Sequence, residues 1–237
     1  RTKAGPVWTG EVRFNRDWLA QPLGWTRPRR IFVCAHGDLF AEAVPLEWIY
    51  DVFTIMAIAR RHTFQVLTKR GARAREVLSD PSFLREIYAR WRGFEAARPM
   101  PPGDAWPLPN VWLGVSIEDR ARLGRLDDLK HTPAAVRFVS FEPLLGHLGP
   151  LELAGVDWAI VGGESGAGAR PMHPDWARGI RDQCASAGVA FFFKQWGQWR
   201  PGDRVVDGIE AGIKMHNVGK TRAGRLLDGV EHNAFPA

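Results

Sequence analysis

The sequence is poor in cysteine: it has only Cys34 and Cys184, far apart along the chain. Two isolated thiols exclude a disulfide framework and fit a reducing, cytoplasmic compartment. Long hydrophobic runs are missing too. None reaches the roughly 20 residues that a membrane helix requires, so a spanning segment and a membrane partner are excluded. There is no Walker motif, no nucleophile elbow, no dinucleotide fingerprint and no zinc-ligand spacing. Internal repeats and low-complexity tracts are also absent. The stretch from Arg1 to Trp8 contains neither a strand nor a helix start, and leads us to expect further chain in front of it.

What is present is ordinary in bulk and specific in order. Hydrophobic residues make up 45% and charged residues 24%, a balance that supports a packed core. At 237 residues, one large α/β domain or two small ones can form. The net charge of +6 permits an anionic partner such as nucleic acid without requiring one. The eleven tryptophans are spread along the chain, which points to core packing rather than to a base-stacking platform. Nothing in the sequence fixes an oligomeric state.

Six short apolar runs predict buried strands: 31–35, 63–67, 111–115, 136–140, 158–161 and 189–193. Near-continuous apolar strands are what a parallel sheet covered by helices demands. Between them, Pro45 opens a helix with Leu46, Ile49, Phe53 and Met56 on one face. An arginine-rich helical region spans Arg73 to Ala97 with a break at Pro81, and a third helix spans Glu118 to Lys130. Pro174 opens a fourth that buries Trp176, Ile180 and Cys184 and ends at Gly188. The proline-rich 98–110 segment reads as a loop. This alternation predicts a partial or closed parallel (β/α) barrel over residues 1–200, with a doubly wound open sheet as the alternative. The glycine-rich segment 201–237 reads as a hairpin-like appendage.

In such folds ligands bind at the carboxyl ends of strands. The residues there are His36 and Asp38, then Lys69 and Arg70, then Ser116 and Glu118, then Ser140 and Glu142. Gly162, Gly163, Glu164 and Ser165 follow the fifth run, and Lys194 and Gln195 the sixth. Gly162-Gly163-Glu164 can bring backbone amides and a carboxylate close to a ligand, or can simply turn the chain. Lys69 and Arg70 suit an anionic group, or a helix start. His36 with Asp38 suits an acid–base pair, or a hydrogen-bonded loop. Lys194 follows an apolar run, so it is either functional or salt-bridged to Glu142 or Glu164. His62, His131 and His173 read as caps or surface groups.

Several of these stretches, in order, resemble one family. They include Gly37-Asp38-Leu39-Phe40, His62 to Arg70, Asn110 to Ser116, Phe141-Glu142-Pro143, Ile160 to Pro171, Phe192 to Gly197 and Gly224 to Gly229. The chain is similar, over nearly its whole length, to uncharacterised phage-type proteins that carry an N-terminal three-cysteine motif and resemble radical S-adenosylmethionine enzymes. The resemblance implies a [4Fe-4S] cluster held by three cysteines and S-adenosylmethionine as cofactor. Gly162, Gly163 and Glu164 look like a glycine-glycine-glutamate element of the kind that holds the cofactor's amine. From their places at the strand ends, Ser165, Ser116 and Asp38 are expected to face the cofactor too, Glu142 and Lys194 to be catalytic, and His36, Lys69, Arg70 and Gln195 to face the substrate. Two departures stand out: the three-cysteine segment is absent and is expected before Arg1, and Cys34-Ala35-His36 replaces an asparagine-serine-methionine-like stretch. The resulting expectation is a radical S-adenosylmethionine-type enzyme of unknown substrate, of nucleic-acid or nucleotide class. The alternatives are a cluster-free binding module on a degenerate barrel, or an ordinary barrel enzyme using Glu142, Glu164 and Lys194. The motive for a nucleic-acid substrate is the arginine cluster Arg60, Arg61, Lys69, Arg70, Arg73 and Arg75.

Overall fold

The six apolar runs all form strands in the computed structural model, which describes residues 10–92, 106–205 and 213–236. They are β1 (Arg30–Val33), β2 (Thr63–Thr68), β3 (Val111–Ser116), β4 (Val136–Phe141), β5 (Trp158–Gly162) and β6 (Ala190–Gln195). They lie in one sheet in the order β1-β2-β3-β4-β5-β6, each beside its neighbour in sequence. The registers of β1 with β2, β4 with β5 and β5 with β6 are all parallel. A doubly wound sheet reverses its strand order at a switch point; this one never does. The fold is therefore α/β with the strand order of a partial (β/α) barrel. An antiparallel ribbon follows, β7 (Trp199–Val205) with β8 (Ile213–Asn217), where the appendage is expected.

The chain divides into two compact units, residues 1–112 with 132–135, and residues 113–131 with 136–237. In the first unit, α1 (Arg16–Leu19) and α2 (Gln21–Gly24) precede β1. Next come α3 (Leu46–Ile58), α4 (Gly71–Ser79) and α5 (Phe83–Trp91). The apolar face predicted after Pro45 buries Ile49, Phe53 and Met56. Phe53 and Phe83 meet edge to face at 5.2 Å between centroids, which locks α3 to α5. The arginine-rich region breaks around Pro81 as expected and continues as α5; residues 93–97 of its predicted span lie outside the described residues, as do residues 1–8 and most of the 98–110 loop. His62, expected at the surface or as a cap, is buried. Its Nδ1 accepts from the Arg29 amide at 3.1 Å, so Nε2 carries the proton and donates to the Pro22 carbonyl at 2.9 Å. It staples the segment before β1 to the start of β2.

In the second unit, the helix expected from Glu118 begins later. Asp119 accepts from the Ala121 amide and starts a 3₁₀ turn, and α6 (Gly124–Lys130) follows. α7 (Pro174–Ala187) starts and stops where Pro174 and Gly188 predict, Gly188 having φ 70°. Its N-cap is His173, whose Nδ1 accepts from the Asp175 amide, and it buries Ile180 and Cys184 while Trp176 stays half-buried. Beyond β8 lies a single turn, α8 (Lys220–Ala223). The last described residues then cover the edge of β6. Asn233 bridges Phe192, the Phe193 amide donates to the His232 carbonyl, and the Ala234 amide donates to the Phe191 carbonyl. A capped edge cannot recruit a foreign strand. Among the described residues, no helix is long and apolar enough to cross a membrane.

Candidate active site at the strand ends

In the second unit, three consecutive strands deliver polar side chains to one cluster. β4 ends at Phe141, and Glu142 follows it through a cis peptide to Pro143. β6 ends with Lys194 and Gln195. Lys194 Nζ donates to Glu142 Oε2 at 2.8 Å, and Gln195 Nε2 donates to Glu142 Oε1 at 3.1 Å. Glu142 is 19% exposed and Lys194 51%, so the pair stands at a rim with one side open to water. The Gln195 amide also reaches Ser165 Oγ at 3.4 Å. Ammonium, carboxylate, amide and hydroxyl form one chain, able to complement a ligand that carries both an amine and a carboxylate.

Two glycines after β5 make that convergence possible. A Cβ on Gly163 would sit 2.0 Å from the Trp196 carbonyl oxygen, so only glycine lets the two strand ends pass. The Gly163 amide donates to the Gln195 carbonyl at 3.0 Å. A Cβ on Gly162 would touch the Glu142 carboxylate at 3.0 Å. The glycine pair thus seats Glu142 and the end of β6, a packing role on the protein's own backbone and side chains.

Glu164 belongs to a second cluster in the same loop. Arg170 grips its carboxylate with Nε and Nη2, each at 2.8 Å, and the Arg170 amide adds a third bond at 2.8 Å. These hydrogen bonds hold the carboxyl of Glu164 down to about 2. It is a fixed anion whose oxygens already have donors. Lys194 therefore pairs with Glu142, not Glu164. Ser116 is buried in β3, and Arg125 closes off its carbonyl at 2.7 Å while holding Glu118 at 3.0 Å.

In the first unit, Asp38 is a clamp. Its Oδ1 accepts from Thr68 Oγ1 at 2.7 Å and from the Phe40 amide at 3.0 Å, and its Oδ2 accepts from the Lys69 amide at 2.8 Å. Thr68 Oγ1 in turn accepts from the Arg70 amide. The carboxylate thereby ties the turn after β1 to the end of β2. Arg70 Nε lies 3.3 Å from both oxygens of Glu42. Arg73 caps the carbonyls of Ala41 and Val44. His36 is exposed in the turn and is not among the groups that bond Asp38. Arg170, Glu42 and Arg125 escaped the sequence reading because none sits directly after a strand in a recognisable pattern. A carboxylate and an arginine six residues apart in a glycine-rich loop, as in Glu164 and Arg170, give only a weak signal.

The donor set bears directly on an iron–sulfur cluster. Cys34 is exposed at the end of β1 with φ 55°, and Cys184 is buried in α7. Among the described residues, no group of three or more His, Cys, Asp or Glu side chains is placed to hold a metal ion. These residues do not supply a cluster's ligands.

Parallel strands in sequential order define an α/β protein of partial-barrel type, with a charged and hydrogen-bonded chain at the carboxyl ends of β4 and β6. Residues 2–236 match the family described as protein of unknown function DUF5131, and the chain belongs to that family. No curated protein and no solved structure matches it.

Proposed function

We propose that this chain forms the barrel of a radical S-adenosylmethionine-type enzyme whose substrate is of nucleic-acid or nucleotide class. The three cluster thiolates would come from outside these 237 residues. The observation that supports it is the Lys194–Glu142–Gln195 chain at the ends of β4 and β6. It presents both signs of charge, as the amino-acid end of S-adenosylmethionine requires. In this reading Glu142 meets the cofactor's amine, Lys194 or Gln195 its carboxylate, and Gly162 keeps the space beside Glu142 clear. The test is anaerobic purification of the protein from its complete gene, reconstitution with iron and sulfide, and addition of reductant with S-adenosylmethionine. Cluster absorbance and release of methionine support the reading; their joint absence removes it.

A second reading, a cluster-free binding module on a degenerate barrel, is supported by the same side chains: Lys194, Glu142 and Gln195 hold one another by hydrogen bonds that need no metal. It predicts a protein from the complete gene that retains neither iron nor S-adenosylmethionine yet still binds a partner.

A further inference from the structure

The chain leaves the site through Trp196, Gly197 and Gln198 and enters the β7–β8 ribbon. The ribbon's root is fixed. The Gln198 amide donates to the Glu164 carbonyl at 2.8 Å, the Val218 and Gly219 amides donate to the Gln198 carbonyl, and Trp199 Nε1 donates to the Ala169 carbonyl at 2.6 Å. The pairing sets Arg200 directly across from His216, and Pro201 across from Met215. Side chains alternate across a ribbon, so Lys214 shares the face of Arg200 and His216. Gly202 clears that face: a Cβ there would come within 2.6 Å of His216 Nε2. One turn on, α8 adds Lys220 and Arg222. All five of these basic side chains are exposed.

Several arginines elsewhere in the protein are neutralised by carboxylates. Arg70, Arg90, Arg125, Arg170, Arg178 and Arg181 each pair with a carboxylate. Among the described residues, Arg200, Lys214, Lys220 and Arg222 pair with none, and the segment 213–225 contains no Asp or Glu. Basic groups facing one another across a strand pair are destabilising unless something neutralises them. A regularly spaced polyanion does so, and an exposed antiparallel ribbon can follow a phosphate backbone or enter a groove.

We propose that β7, β8 and α8 form a nucleic-acid docking face, gripping phosphates with Arg200, Lys214, Lys220 and Arg222. The proposal stands whether or not the site binds S-adenosylmethionine. The contacts are to the backbone, so binding is salt-dependent and weakly sequence-selective.

The test is fluorescence anisotropy with labelled single-stranded and duplex oligonucleotides of one length, over a range of salt. Three proteins are compared: the unaltered chain, Lys214→Gln/Lys220→Gln/Arg222→Gln, and Arg60→Gln/Arg61→Gln/Arg75→Gln. The second set removes the same charge from the arginine cluster of the first unit. The ribbon variant is expected to bind about tenfold or more weakly at roughly 0.1 M salt, with a log–log salt slope shallower by about 2 to 3. The control is expected to keep most of its affinity. Lys214→Arg/Lys220→Arg, which keeps the charge, should bind like the unaltered chain. Whichever oligonucleotide binds tighter identifies the strandedness. No salt-dependent binding by the unaltered chain, unchanged binding by the ribbon variant, or an equal loss in the control would each overturn the proposal.

Discussion

Lys194 lies in β6 and Glu142 just past the end of β4, 52 positions apart in sequence, yet Nζ and Oε2 are 2.8 Å apart. A lysine directly after the apolar run of β6 is tolerable because this carboxylate meets it at the water-facing rim. Gln195 occupies the other oxygen of the same carboxylate, so Glu142 is the hub on which the ends of β4 and β6 converge.

That geometry separates stability from binding. The pair is half-exposed, so Lys194→Met should change unfolding free energy by at most about 1 kcal/mol in a urea titration. Glu142→Gln should behave alike. Affinity for S-adenosylmethionine should fall about tenfold or more in both, because each removes a charged hydrogen-bonding partner at the site. Calorimetric titration of the protein from its complete gene checks this.

The two glycines after β5 predict different failures. Gly163→Ala places a Cβ 2.0 Å from a backbone oxygen that cannot rotate away. It should cost about 1–3 kcal/mol or more, seen as a lower urea midpoint. Gly162→Ala meets a side-chain carboxylate at 3.0 Å, which can shift. Its stability should stay close to that of the unaltered protein while ligand binding weakens.

The Glu164–Arg170 pair predicts a direction with pH. The folded carboxyl lies near 2, below its ordinary value of 4.5, so its contribution is fully present above 4.5 and is lost as pH falls towards 2. Arg170→Gln should therefore lower stability at neutral pH only slightly, Arg170 being largely exposed. The gap from the unaltered protein should close as acid is added. Urea titrations across that range measure it; a gap that widens in acid contradicts the assignment.

The two thiols should separate in reactivity. Burial pushes Cys184 up to about 12, so it should resist alkylation until the protein unfolds. Cys34 is exposed as a residue, although desolvation of its sulfur and then the charge of Asp38 raise its thiol. We expect one slowly modified thiol in the native protein and two in denaturant, counted by mass spectrometry.

Much of this architecture is legible in the residues. All six strands announce themselves as apolar runs, because a parallel sheet buried by helices leaves little room for polar alternation. Pro45, Pro174 and Gly188 mark helix ends for local reasons that tertiary context does not override. α1 and α2 are illegible because four residues carry no period, and α6 starts late because Asp119 prefers to cap a tighter turn. His62 was misread because nothing local reveals that Arg29 and Pro22 would bury it. The strand-end residues were legible as a set, but their pairing was not. That Lys194 selects Glu142, and Glu164 selects Arg170, depends on the register of β5 with β6 and on the loop from Glu164 to Arg170. The basic ribbon was legible only as a hairpin, because cross-strand alignment of Arg200 with His216 is a three-dimensional fact.

The most direct test of the central claim is the binding of S-adenosylmethionine to the anaerobically reconstituted protein from its complete gene, compared with Glu142→Gln in the same titration. Saturable binding by the unaltered protein, weakened about tenfold or more in the variant, is the predicted result. No binding, or equal binding by both proteins, would contradict a cofactor site built on Glu142.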